Sequence, residues 1–385
     1  MIDYESLRPY AQTPTEIAVL DALKAHGSQP KAAKHLGRTR SAVNDALSRI
    51  RHRRSLKDAN QHQDRQVPDG YTIKGVSTLY DENGNKRAEW VKSDLDKERL
   101  ETLQREAILA LKDEITPVKP VKSPKTANKD LLNTYIITDY HMGMMAWHEE
   151  SGDNWDTKIA EQLIYNWFSK AIQQSPDSET AIFAQLGDFL HWDGLDAVTP
   201  LSKNILDADT RFQRLVRVTI RCFRRIIEDL LKKHKKVHVI MAEGNHDPAS
   251  SIWLRESFKA LYDKEPRVTI DDSPDPYYCY EHGLTSLFFH HGHKRKPANI
   301  DDVFVAKFRD VFGRTKHSYG HMGHLHSKEV RETNLMTVEQ HRTLASNDAY
   351  ASRGGWITGR DASVITYHKE YGEVARVTIN PKMAQ

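Results

Sequence analysis

Cysteine is almost missing from this sequence: Cys222 and Cys279 are the only two in 385 residues, far apart and in no CxxC pairing. That excludes a disulfide framework and a cysteine-built zinc site, and it fits a reducing compartment. Long apolar runs are missing too. No stretch of about 18 apolar residues occurs, so no membrane-spanning helix and no membrane partner are expected. The start, MIDYESLRPY, has acidic residues and no apolar core of signal-peptide length, which predicts a cytoplasmic protein. Net charge is small: Lys and Arg number 56 against 53 Asp and Glu, a formal balance of +3. Any basic surface must therefore be local.

Histidine is what the sequence has in excess. Twenty occur, and His282, His290, His291, His293, His317, His321, His324 and His326 crowd into one short region. A neutral imidazole buried without a partner is costly, so such a cluster needs something to gather around. The remaining composition, 38% hydrophobic and 28% charged, is that of a globular chain with polar segments, and the length predicts two or three units.

Residues 1–56 read as a small all-α, helix-turn-helix domain. PTEIAVLDALKAHG places Ile17, Leu20 and Leu23 at helical spacing and stops at Gly27. QPKAAKHLG and RTRSAVNDALSRIRHRR then form two further helical patterns meeting at Gly37, with Val43 and Leu47 directed inward and Ala33 allowing close approach. From Lys31 to Lys57 there are nine basic residues against the single acidic Asp45. A basic helix presenting Arg38, Arg40, Ser41 and Asn44 near its start suits docking in a DNA major groove, so DNA is the expected partner and these four the expected contacts. Since helix-turn-helix proteins often pair, a homo-oligomer is also expected.

Residues 57–128 read as a connector. GYTIKGVSTLYDENGNKRAEWVK alternates around ENGN, a β-hairpin signal. SDLDKERLETLQREAILALKDEI predicts a helix, and TPVKPVKSPKTANKD a flexible or extended Pro/Lys-rich linker. From residue 129 to 385 the pattern is α/β. NTYIITD, TAIFAQLGD and KVHVIMAEGN alternate with TKIAEQLIYNWFSKAIQQ and TRFQRLVRVTIRCFRRIIEDLLKK, and TSLFFHH, SYGHMGHLH, VITYHKEYG and VARVTI predict further strands. The arginines at 211, 214, 217, 221 and 224 share one helix face and are best read as its solvated side.

The polar residues that can bind metal sit at the ends of these strands. ITDYHMG supplies Asp139 and His141, AQLGDFLHWDG supplies Asp188 and His191, and AEGNHDP supplies Asn245, His246 and Asp247. Strand C-terminal ends line one crevice in open α/β sheets, so groups distant in sequence can converge there. Members of the pairs Asp139/His141 and His324/His326 are two residues apart and point the same way in an extended chain, whereas His321 is offset by odd steps and is expected to be structural. FFHHGHK adds either His290 or the pair His291 and His293. Carboxylates, imidazoles and an amide without thiolates suit borderline or hard divalent ions, Mn²⁺ above all, with Fe²⁺ or Zn²⁺ as alternatives. With His291 included there are seven candidates, too many for one tetrahedral site but suited to two ions sharing a carboxylate.

The series DxH, GD, GNHD, a later His and GHLH, in that order, resembles the calcineurin-like metallophosphoesterase superfamily over most of residues 131–380. DYHMG and GDFLH are most similar to its double-strand-break repair nuclease branch. The resemblance implies a four-layer α-β-β-α metallophosphoesterase sandwich. It implies that Asp139, His141 and His326 hold one ion, that Asn245, His291 and His324 hold the other, and that Asp188 bridges. It favours His291, immediately before Gly292, over its neighbours. It makes His246 the catalytic group beside the phosphate, oriented by Asp247, with His191 either positioning the phosphate or supporting a ligand by hydrogen bonding. Only residues 327–385 follow the last motif, so the DNA-capping region and the ATPase partner of that branch are not carried over. The sequence thus predicts a metal-dependent phosphodiesterase, a DNA nuclease first. The alternative is a phosphomonoesterase or small-nucleotide phosphodiesterase whose N-terminal domain serves assembly or regulation.

Overall fold

A computed structural model of the chain describes residues 4–60, 71–80, 86–95, 120–125, 127–200 and 202–385. The chain divides into two compact units, Met1–Arg105 and Glu106–Gln385. In the first, α1 (Pro14–His26), α2 (Gln29–His35) and α3 (Arg40–Asn60) form a helical cluster. Thr13 caps α1 by accepting a hydrogen bond from the Glu16 N–H, and Pro14 occupies the first helical position. Gly37, between α2 and α3, has φ +61°, a turn conformation that a side chain would strain. Leu20, Leu23, Ala33, Val43 and Leu47 are buried together, as the spacing predicts, while Ile17 remains exposed.

The same cluster contains an ion pair that apolar periodicity does not reveal. Glu16 is buried, and Arg53 grips it with two hydrogen bonds of 2.6 and 2.9 Å while also donating to the Tyr10 carbonyl. Arg49 reaches the same carboxylate at 3.5 Å. The middle of a very polar helix is thereby fixed to the first helix. Two of the basic residues in the count above are thus structural.

Strands β1 (Tyr71–Tyr80) and β2 (Lys86–Leu95) pair antiparallel with Tyr80 opposite Lys86, as a hairpin requires. The ENGN turn lies outside the described residues. Ser93, Asp94 and Leu95 belong to β2 instead of starting the expected connector helix, whose remaining residues also lie outside.

The second unit is a four-layer sandwich. One sheet has six strands in the order β13 (Gly372–Ile379), β12 (Ala362–His368), β3 (Asn128–Ile137), β4 (Ser178–Gln185), β5 (Lys236–Met241) and β6 (Val268–Ile270), and the other five in the order β10 (Glu329–Glu332), β11 (Thr337–Gln340), β9 (His317–Met322), β8 (Thr285–Phe289) and β7 (Tyr278–His282). The central strands of the first, β3, β4 and β5, are parallel and almost wholly buried. That is why their sequences read as near-continuous apolar runs. Helices α4 (Thr157–Gln174), α5 (Phe212–Lys233) and α6 (Pro248–Leu261) lie in the outer layer, where Trp167, Phe168, Phe223 and Phe258 join the core around Phe183. Between the sheets, Ile136, Ile182 and Ile240 meet Leu287 and Phe289 of β8 (Thr285–Phe289). The fourth layer is α7 (Asp301–Lys307) and α8 (Arg309–Arg314), with Phe304 packed against Phe288.

On α5, Arg221 makes two hydrogen bonds to Glu161, and the opposite face supplies the core, so the arginine stripe is the outer side of an amphipathic helix. In the Pro/Lys segment, expected to be flexible or extended, the stretch at Val121 is held in place. The Val121 carbonyl accepts from Arg267, and Val121 packs against the core.

Removing Glu16 leaves Arg53 partly buried with the Tyr10 carbonyl but without a carboxylate. Since Arg53 keeps 24% exposure, Glu16→Ala should cost about 2–3 kcal/mol, less than the ~3–5 typical of a fully buried pair. Faster amide exchange in peptides from residues 14–53 of the full chain, with residues 129–385 unaffected, is the expected readout. Arg53 holds the Glu16 carboxyl down at about 2. Its contribution is therefore complete above the ordinary carboxylate pKa and disappears as pH falls from about 4.5 towards 2.

Candidate metal centre

Five strand ends deliver the site. Asp139 and His141 follow β3, Asp188 follows β4, Asn245 and His246 follow β5, His291 follows β8, and His324 and His326 follow β9 (His317–Met322). Extended-chain alternation does not explain how the pairs share a face, because β9 stops at Met322 and β3 at Ile137. Instead Asp139, His141, Asp188, His324 and His326 all have φ between +46 and +78°. Among the described non-glycine residues only Lys203 shares that conformation. Left-handed backbone is uncommon for such residues and costs about 1–3 kcal/mol each, so it persists where the surroundings enforce it. Three of the five loops thus take left-handed backbone just beyond their strand ends.

The side chains converge tightly. His326 Nε2 lies 3.2 Å from Asp139 Oδ1 and 3.3 Å from His141 Nε2. His291 Nε2 lies 3.0 Å from Asp188 Oδ2 and 3.1 Å from Asn245 Oδ1. His324 joins Asp139, Asp188 and His291 in one potential ligand group, while Asp139, His141 and His326 make another. Three observations test whether these residues fit a cation. Asp139 Oδ1 is buried with no hydrogen-bond partner, although Oδ2 accepts from Thr138 Oγ1 and the His324 N–H. His291 Nδ1 faces the Leu186 carbonyl at 2.8 Å, an acceptor only, so Nδ1 carries a proton and Nε2 is the atom aimed at two oxygens, where a cation would take the place of an Nε2 proton. Among the described residues no Lys or Arg is ion-paired with Asp139 or Asp188. A divalent cation satisfies all of these lone pairs at once, and the residues fit one.

The electrostatics carry the same signature. Burial alone would raise both carboxyls, but His326 and His291 hold Asp139, and His291 and His246 hold Asp188, well below the usual carboxylate range. Burial opposes charge on His291, yet Asp188 and Asp139 lift it to about 9. His141 goes the other way: burial and the nearby His246 and His191 rings keep it neutral, the form that coordinates metal.

Around this group stand residues that position it. His191 is buried beneath the site, with Nδ1 3.2 Å from His141 Nδ1 and its ring stacked on His246. Its carbonyl also accepts from His246 Nδ1 at 2.8 Å. The structure therefore places His191 where it orients two rings rather than in the cleft wall. Asp247 was expected to orient His246, but its carboxylate binds the N–H groups of Asp188, Leu190 and Gly244 instead, clamping the second ligand loop to the third. Burial, then Asp188, pushes its pKa up to about 8. His290 turns away, stacked on Tyr277, while His293 lies 5.3 Å from the His291 ring. His321 lies outside the group, in a chain of contacts from Tyr367 through His321 to His341. Arg342 and Arg353 pair with Asp361 and Glu150.

Glycines let the loops close on the candidate ligands, and the GD, GNHD and GHLH motifs each carry one beside them. A Cβ at Gly187, where φ is +103°, would sit 2.6 Å from His291 Nδ1. One at Gly244 would collide with Asp188 Oδ1, and one at Gly323 with Thr138 Oγ1 and Asp139 Oδ2. Gly187→Ala should therefore weaken divalent-metal binding about 10–100-fold, the usual range when a ligand's support is lost. Calorimetric titration with Mn²⁺ measures this, and an unchanged affinity with an unchanged far-ultraviolet spectrum would show that His291 is not a ligand.

No family model and no curated protein matches the chain. Solved structures give low similarity. A predicted phosphoesterase from Streptococcus pneumoniae TIGR4 is 10% identical with a TM-score of 0.28, over 65% of this chain and 97% of that one. A structure described as a novel archaeal phosphodiesterase is 15% identical with a TM-score of 0.32, over 64% and 99%. The 5'-nucleotidase from Candida albicans SC5314 is 12% identical with a TM-score of 0.32, over 68% and 54%. What this site can do follows from its own geometry.

Proposed function

We propose that the chain is a two-metal phosphodiesterase acting on DNA. The observation that carries this reading is the convergence of Asp139, His141, Asp188, Asn245, His291, His324 and His326 on one polar floor, with a buried carboxylate oxygen left unsatisfied. Asp139, His141 and His326 would hold one ion and Asn245, His291 and His324 the other, with Asp188 shared and Mn²⁺ the expected metal. Such ions, when bound, neutralise phosphoryl oxygens and make a water nucleophilic near neutral pH.

The protein's own contribution is proton placement and alignment. His246 Nδ1 is committed to the His191 carbonyl, which leaves Nε2 for the substrate. The protonated ring can give its Nε2 proton to the leaving oxygen and keep its orientation throughout. The His246 N–H also donates to Asp188 Oδ1 at 2.7 Å, so ring and shared carboxylate move together. His191 acts through His141 and His246 and is a positioning residue. The N-terminal unit supports a DNA substrate: Arg38, Arg40, Ser41 and Asn44 are all exposed, the last two with hydrogen bonds to Asp45 and Gln29. A duplex gripped there would raise the local concentration of phosphodiester bonds.

Two measurements test this reading. His246→Ala should lower kcat on a small diester by at least about 100-fold while the bound metal per chain stays at the wild-type value; equal loss of both would make His246 a ligand. Replacing Arg38 and Arg40 together by Ala should weaken duplex binding and reduce the slope of log affinity against log salt by about two. An unaltered slope would remove the helical unit from DNA recognition.

A further inference from the structure

The polar floor of the metal centre opens into a cleft of about 700 Å³ whose outer wall is of different chemistry. Leu325, Trp356 and Ile357 line it and are 54%, 55% and 82% exposed. Their chemistry is wrong for a phosphate and wrong for open water. Trp356 is also placed with care. It follows the short helix α9 (Ala349–Gly354), and its ring lies so close over Gly354 that a Cβ there would come within 2.6 Å of the indole. Two residues on, Thr358 Oγ1 donates to the His326 carbonyl at 2.9 Å. The indole is therefore held in fixed register with one of the proposed metal ligands.

From this arrangement we infer that Trp356 is a stacking platform for one unpaired nucleobase of the substrate, an inference that rests on the phosphodiesterase reading above. A nucleotide joins the two chemistries found side by side here, an anionic phosphate and a flat π-face. A base stacked on an aromatic side chain gains about 1–3 kcal/mol whatever its identity. Asn347 and Ser327 line the same cleft and offer polar groups to a base edge. A base inside a duplex has both faces covered by its neighbours, so the platform can engage only a single-stranded, frayed or extruded nucleotide. The cleft thus selects a strand end or an unpaired segment, even where the bulk of the substrate is duplex.

The test uses the full chain loaded with Mn²⁺ and the 5'-monophosphate of 2-aminopurine deoxyriboside, whose fluorescence is quenched on stacking. Wild-type protein should quench it and release it to excess inorganic phosphate. W356A should bind it about tenfold or more weakly, and W356F should retain most of the affinity. Equal affinity in W356A, or no quenching by the wild type, would overturn the platform. Hydrolysis of methyl p-nitrophenyl phosphate is measured in parallel. Hydrolysis without quenching would leave the phosphodiesterase and remove the platform. Quenching that depends on Trp356 without hydrolysis of any diester would keep the nucleotide cleft and remove the phosphodiesterase.

Discussion

Two carboxylates buried at one spot are the constraint around which the larger unit is built. Asp139 and Asp188 are almost wholly removed from solvent, and the groups facing them are imidazoles rather than Lys or Arg. Burial opposes their ionisation, so the charge must be supplied by neighbours that are themselves buried. Backbone N–H groups take part of the load, with the His324 N–H on Asp139 and the His246 N–H on Asp188. The imidazoles take the rest. The fold thus brings carboxylate, imidazole and amide groups together at one spot, a donor set that fits a divalent cation.

Meeting the constraint requires backbone that local preference resists. Five ligand-bearing residues sit in left-handed turns, and three glycines remove the Cβ atoms that would force those turns apart. The cost is spread over the sandwich. Parallel strands buried on both faces fix the starting point of every ligand loop, and Asp247 ties two of the loops together. Two sheets are needed because one cannot supply all the groups: Asp139, His141, Asp188 and Asn245 follow strands of the first, while His291, His324 and His326 follow strands of the second.

Much of this was legible in the sequence. Apolar runs ending in polar residues located β3, β4, β5 and β8, and the order of the motifs named the side chains that the structure brings together. The reason given for the paired spacing was wrong, because alternation describes an extended strand and these residues lie beyond the strand ends. His321 illustrates the difference. It belongs to β9 proper and faces Tyr367 of the other sheet, whereas His324 and His326 lie past the end. The support around the ligands was less legible, since an Asp that binds three N–H groups and an Asp that orients a histidine look alike in one sequence. The Glu16–Arg53 pair was hidden for a related reason, because a basic helix draws attention to its exposed face and gives no sign of which arginine turns inward.

The floor and the outer wall of the cleft are held by different contacts, and that difference bears on function. Each group on the floor is fixed by several partners: moving His291 disturbs Leu186, Asp188 and Asn245 together. The stretch from Gly354 to Thr358 is held through contacts that include a helix C-terminus, the Trp356 N–H on the Ala351 carbonyl and the Thr358 bond to His326. Substitutions on the floor therefore alter several interactions at once, whereas changes at Trp356 or Ile357 leave those interactions in place. In the proposed reading the metal-binding groups are held by the sandwich, and the contact with a nucleobase belongs to the loop beside Trp356.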